Sequence, residues 1–169
     1  NYSSANTDDG HIYVDDGTAT IVNCTFTANK AGSPVYFYDG NNHVVKNCIF
    51  YNNTSTNDIY EKFANSPYPT VSYTYYESRI GSFNIGSEAG NVTSGNVNFT
   101  DAANGDLSLQ ARSICINAGT NSGVSSFDVN GNQRLVGGVV DLGCYEFQAF
   151  NVWINEKSWE ERGPVHEFR

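Results

Sequence analysis

Charge is scarce in this chain, and what there is leans one way. Only 16% of residues are charged, with 18 acids against 9 bases and a formal net charge of −9. A surface of that sign repels polyanions, which excludes nucleic acid and disfavours acidic polysaccharides unless a cation bridges the contact. Long apolar runs are missing too: no stretch approaches the roughly 18 residues that a membrane-crossing helix needs. Cysteine and histidine number only 4 and 3 and never cluster, so no zinc-ligand pattern can be assembled from them. The texture of Asn, Ser, Thr and Gly suits short strands joined by tight turns and argues against long helices. What remains, 39% hydrophobic residues over 169 positions, is enough for one domain with a sizeable core. A chain that opens at Asn1 without Met is expected to be a processed or trimmed product.

Two stretches recur. His11–Gly17 (HIYVDDG) returns as Pro34–Gly40 (PVYFYDG) at a spacing of 23, and Ile21–Ala31 (IVNCTFTANKA) returns as Val45–Ser55 (VKNCIFYNNTS) at a spacing of 24. A period in the twenties built from short β-rich runs means stacked coils, because one coil cannot bury its own apolar face. Tyr2–Ile12 reads like Phe26–Val35, the tail of an earlier coil. Residues 58–103 keep strand character at Thr70–Tyr76 but lose the period.

The repeat separates inside from outside. Ile21 is replaced by Val45, Cys24 by Cys48 and Phe26 by Phe50, all apolar, whereas Val22 becomes Lys46, which cannot be buried unpaired. Positions 21, 24 and 26 therefore point inward. Strict alternation would put 21 and 24 on opposite faces, so the chain bends between them, at Asn23 and its copy Asn47. Asn tolerates the left-handed region, and stacked Asn side chains can bond along the axis. Asn29 and Asn53 mark the next corner, and Asp16-Gly17 and Asp39-Gly40 another, with Gly supplying a positive φ. Cys24 and Cys48 then lie about 4.8 Å apart on neighbouring rungs. In-register parallel neighbours are poorly oriented for a disulfide, which favours reduced packing over a bridge. Cys115 and Cys144 stand outside the repeat, and their pairing is open.

With its Asn-Cys-x-Phe core, the repeat resembles a right-handed parallel β-helix of the pectin-lyase-like type. The segment Asn104–Phe147 resembles the choice-of-anchor Q module that follows such helices in Bacteroidetes surface proteins. It does so through Gly105–Leu109 (GDLSL), Cys115–Gly119 (CINAG), Asp128–Arg134 (DVNGNQR) and Val140–Glu146 (VDLGCYE). Gln133 stands where this pattern more often has Pro, and Cys144 where it often has Ala. The resemblance implies an all-β fold of about two to three coils at 1–103, truncated on the N-terminal side, and an irregular β-rich cap at 104–148. It also implies a secreted or cell-surface location. The cap is expected to fold over the end of the stack, where unpaired backbone would otherwise recruit another chain. The opposite edge is expected to meet upstream coils of the same protein. Residues 149–169, with Trp153 and Trp159, differ in composition and read as a tail that need not belong to the fold.

Chemistry is sparser. In enzymes of the resembled type, carboxylates stacked on the outer faces hold Ca²⁺ or act as an acid/base pair. Asp16 and Asp39 are the acids that stack here, and both precede Gly, so turn chemistry competes with a Ca²⁺ site. Otherwise no cofactor is implied. Lys46 and His43 are read as outward, with no repeated basic partner. Asp128–Asn132 reads as a hairpin turn rather than a calcium loop, which would need a distant Glu. In the cap, Asp141 and Glu146 are read as structural and Arg134 as their partner. Tyr36, Tyr38, Tyr73, Tyr75 and Tyr76 supply rings that alternation forces partly outward, where they can stack on sugars or clamp strands. The sequence-level expectation is a scaffold or adhesive surface that binds a polysaccharide or cell-surface glycan. The alternative is the C-terminal part of a polysaccharide lyase or glycoside hydrolase.

Overall fold

The computed structural model describes residues 11–30, 32–63, 68–77, 79–80 and 90–148. The tail at 149–169 and the reading of Tyr2–Gly10 as an earlier coil lie outside them. Ten short strands build three parallel sheets. These are β1 (Ile12–Val14), β2 (Thr20–Val22), β3 (Thr25–Thr27), β4 (Val35–Phe37), β5 (Val44–Lys46), β6 (Ile49–Tyr51), β7 (Asn57–Glu61), β8 (Thr70–Ser72), β9 (Tyr75–Tyr76) and β10 (Arg79–Ile80). The sheet orders are β1-β4-β7-β10, β2-β5-β8 and β3-β6-β9. The chain thus visits three sheets in turn and climbs one rung per circuit, an arrangement compatible with a β-helix. Two further strands, β11 (Phe99–Asp101) and β12 (Asp106–Leu109), form an antiparallel pair around a single 3-10 turn at Ala102–Asn104. No α-helix occurs among the described residues.

The inward positions are those the repeat predicts. Ile21, Val45, Cys48 and Phe50 are buried in one core cluster, with Cys24 and Phe26 packed against it. Register is in step: Ile21 pairs with Val45 and Val45 with Val71, while Phe26 lies over Phe50 with ring centroids 4.7 Å apart and planes at 7°. Each buried aliphatic or aromatic side chain contributes about 1.5–3 kcal/mol. The third coil is also present, in disguise. Val71, Ser72, Tyr73, Thr74 and Tyr76 occupy the places of Val45, Lys46, Asn47, Cys48 and Phe50, because Val44 pairs with Thr70 and Phe50 with Tyr76. The inward column therefore runs Cys24, Cys48, Thr74. The Thr74 hydroxyl donates to Ser72 O at 2.9 Å and accepts from Cys48 N at 3.4 Å, which makes it acceptable at 0% exposure. All four cysteines are unbridged.

The corners also form, with one exchange of roles. Asn23 and Asn47 have φ of 51° and 52°, and Gly17 and Gly40 have φ of 84° and 103°. At the third corner the left-handed residues are Ala28 and Asn52, one position before the expected Asn29 and Asn53. The axial amide ladder sits there and not at Asn23 and Asn47. Asn29 Nδ2 donates to Asn53 Oδ1 at 2.8 Å, and Asn53 Nδ2 donates to Phe26 O at 3.2 Å.

Asn23 and Asn47 instead hold the C-terminal segment. Asn47 pairs its amide with Thr120, accepting from Thr120 N at 2.9 Å and donating to Thr120 O at 2.8 Å. Asn23 Nδ2 reaches Asp141 O and Gly143 O at 3.2 and 3.3 Å, and Cys144 N donates to Thr25 Oγ1 at 3.1 Å. The module therefore lies along the flank of coils one and two, and the expectation that it covers the end of the stack is corrected. Its apolar side joins the outer face of β3-β6-β9, where Ile49 and Tyr75 pack with Val97, Leu109, Cys115 and Leu142. Close approach explains Gly143: a Cβ there would meet Ile49 Cδ1 at 2.7 Å.

Candidate functional site

The sheet β1-β4-β7-β10 carries the aromatic surface. Ile12, Val35 and Ile59 point into the core, as do Val14 and Phe37, so alternation turns Tyr13, Tyr36 and Tyr60 outward in one register. Tyr13 stacks on Tyr36 at 5.4 Å and Tyr36 meets Tyr60 at 5.1 Å, leaving Tyr36 itself 2% exposed within the ladder. Beside it Tyr38 lies 6.0 Å from Tyr13, and the Phe63 ring stands edge-on to it at 5.3 Å. Tyr13, Tyr38 and Phe63 are 47%, 36% and 44% exposed. Together they form a strip of open rings on backbone fixed by ladder bonds, including Tyr38 N to Val14 O at 2.8 Å. The exposed Asp15, Asp16 and Asp39 border it.

Asp16 and Asp39 act at their turns. Oδ1 of each accepts the N–H of its own following glycine, at 2.6 and 2.7 Å. Among the described residues, no three or more of His, Cys, Asp and Glu come together in a way that could hold a metal ion. Of the other expected rings, Tyr75 is 3% exposed, Tyr76 packs on the coil interior, and Tyr73 packs under the module at the third Asn-equivalent corner, with φ 46°. None of these three lies on the open strip. Tyr13 and Phe63, which the sequence reading passed over, stand there instead, and Tyr60, also passed over, joins the ladder beside them. The signal for two of them was available: Tyr13 matches Tyr36 in the first repeat, and Tyr60 follows Tyr36 at a spacing of 24.

Buried polar groups elsewhere serve the fold. His43 is 1% exposed, not outward: its ring stacks on Phe37 at 4.0 Å, Nδ1 accepts from Ala19 N at 3.1 Å, and burial lowers its pKa. Lys46 is outward and tied down, Nζ donating to Ser122 O at 2.6 Å. A hydrogen bond with Cys48 draws the Cys24 thiol down to about 7, while burial holds Cys48 well above the usual thiol range.

In the module, Asp141 accepts from Asn117 N at 2.7 Å and Phe147 N at 2.6 Å, and Glu146 accepts from Val136 N and Asp141 N at 3.2 and 3.0 Å. Burial raises both pKa values, that of Glu146 to about 7. Asp128 is also buried, yet the N–H groups of Glu146, Asn132 and Asn130 hold its pKa below the carboxylate range. The turn at Asp128–Asn132 is the expected hairpin, closed by Asp128 N to Asn132 O at 2.9 Å, with Gly131 at φ 81°. Arg134 gives its terminal N–H groups to Gly143 O at 3.2 Å and Cys144 O at 2.8 Å, while its charge still favours the ionised forms of Asp141 and Glu146.

No family model, curated protein or solved structure matches the chain.

Proposed function

We propose that this chain is a secreted or cell-surface β-helix piece, right-handed and of the pectin-lyase-like type, with a choice-of-anchor Q-type module on its flank. It serves as a scaffold and adhesive surface, and its ligand is a neutral glycan. The supporting observation is the strip of Tyr13, Tyr38 and Phe63, three exposed rings, the first on β1 and the others just past the ends of β4 and β7. Open rings offer apolar area to the C–H face of a pyranose while keeping hydroxyls wet. Asp15, Asp16 and Asp39 at the margin can accept sugar hydroxyls, and the net charge of −9 disfavours uronate polymers. Rigid backbone keeps the ordering cost of binding low.

The test is affinity electrophoresis against neutral and acidic polysaccharides, with and without Ca²⁺, alongside a product assay. Retardation by a neutral polymer is expected, weakened about tenfold in a Tyr13→Ala/Tyr38→Ala double variant that keeps its circular dichroism spectrum. Absence of retardation by every neutral polymer would overturn adhesion. Release of sugar fragments would move the chain to the lyase or hydrolase class.

A further inference from the structure

A cleft of about 330 Å³ opens between the coil stack and the segment 95–102 that precedes the module, walled by Tyr51, Glu77, Asn96, Asn98, Phe99 and Ala102. Its size falls at the lower end of the range for small-molecule sites, roughly 300–1,000 Å³. Tyr51 comes from β6 and Phe99 from β11, and their rings meet edge to face at 5.5 Å and 85°, so the stack and the segment that leads into the module each supply one ring.

Glu77 and Asn98 at the mouth are held in place before any ligand arrives. Glu77 Oε2 accepts from Asn52 N at 2.6 Å and Oε1 accepts from the Tyr75 hydroxyl at 3.2 Å. An ionised carboxylate has about four acceptor positions, so each oxygen keeps capacity for a further donor. Asn98 Nδ2 donates to Arg112 O at 3.4 Å, and the backbone carbonyls of Asn96 and Asn98 accept from Ile114 N at 3.0 Å and Gln110 N at 2.8 Å. The wall residues include two rings, one carboxylate and two carboxamides, and none of them is basic. A ligand carboxylate would meet Glu77 without a countercharge, whereas hydroxyl groups would find acceptors and an amide rim.

We infer that this cleft is a binding site for one neutral hexopyranose ring, its C–H face against Tyr51 with Phe99 edge-on beside it, and its hydroxyls on Glu77, Asn96 and Asn98. The site lies on another sheet from the Tyr13 strip and does not depend on that strip binding anything.

Saturation-transfer NMR and amide-shift titration with methyl glucoside, galactoside and mannoside, and with galacturonate as the acidic probe, test it. At least one neutral glycoside is expected to bind in the millimolar range and to shift the amides of residues 95–99, with galacturonate silent. Tyr51→Ala is expected to weaken binding about tenfold, and the shape-conserving Glu77→Gln about fivefold. In the Tyr13→Ala/Tyr38→Ala chain the glycoside must still shift the amides of residues 95–99 at the parent's concentrations. Loss there would assign the sugar to the strip and overturn the cleft. Silence of all three neutral glycosides, or full binding by Tyr51→Ala, would overturn it as well. Neither result would touch polysaccharide binding by the strip.

Discussion

Inside the coils, each inward side chain meets its counterpart one rung away, Cys24 on Cys48 on Thr74 and Phe26 on Phe50. Inside the flanking module, three carboxylates, Asp128, Asp141 and Glu146, each accept backbone N–H groups from separate points in the chain. The coil arrangement is local. An inward residue answers only to its neighbours above and below, so Thr can replace Cys and Tyr can replace Phe if size is kept and the new hydroxyl finds a partner. The module is irregular, and its loops converge only because a few short polar side chains collect their N–H groups. One region tolerates drift in its residues, and the other depends on three of them.

That contrast can be broken from either side. Phe50 is 0% exposed at the centre of its column, and Phe50→Ala is expected to cost about 4 kcal/mol by urea denaturation, against well under half of that for Phe26→Ala, since Phe26 is only partly buried. Equal losses would show that the column does not pack rung by rung. Asp141→Ala strands two N–H donors, those of Asn117 and Phe147, beside a buried carboxylate site and is expected to cost about 2 kcal/mol. The loss should appear as faster amide exchange at Asn117 and Phe147 while the coil amides stay protected, and uniform exchange would merge the two regions into one cooperative unit.

A third effect concerns pH. Glu61 points into the third coil at 6% exposure, its Oε2 without a hydrogen-bond partner among the described residues, and burial raises its pKa from 4.5 to about 7. The folded chain keeps this proton up to about pH 7, whereas the unfolded chain loses it near 4.5. Stability from this group is therefore full below pH 4.5 and declines as pH climbs toward 7. Glu61→Gln should melt like the parent at pH 4 and above it at pH 8, and equal melting temperatures at pH 8 would refute the assignment.

Two coils were legible because Ile21, Cys24 and Phe26 recur as apolar residues while Val22 becomes Lys46. The third was not, because Tyr73 replaces the corner Asn, Thr74 replaces Cys, and the spacing stretches from 24 to 26. Tyr73 holds a left-handed φ there by packing its ring under Gly90, where a Cβ would come within 2.6 Å of Tyr73 Cε1. No rule of composition anticipates that exchange. The strip was half legible: Tyr36 and Tyr38 stand in the repeat, but alternation alone does not say which of Tyr73, Tyr75 and Tyr76 is exposed, because the outer face of β3-β6-β9 is covered. The motifs of the C-terminal segment describe its own turns and say nothing about which surface it meets. Asn23 and Asn47 carried the missing information, since their amides answer the module instead of each other.

Because Asn23 and Asn47 belong to successive coils and both grip the same segment, that segment acts as a splint. A bare solenoid can peel from one end, each circuit detaching with only its nearest neighbour to hold it. Here, pulling on the first circuit loads bonds to Asp141 and Gly143, and these lead through the backbone to Thr120 and the second circuit, so the two must give way together under force.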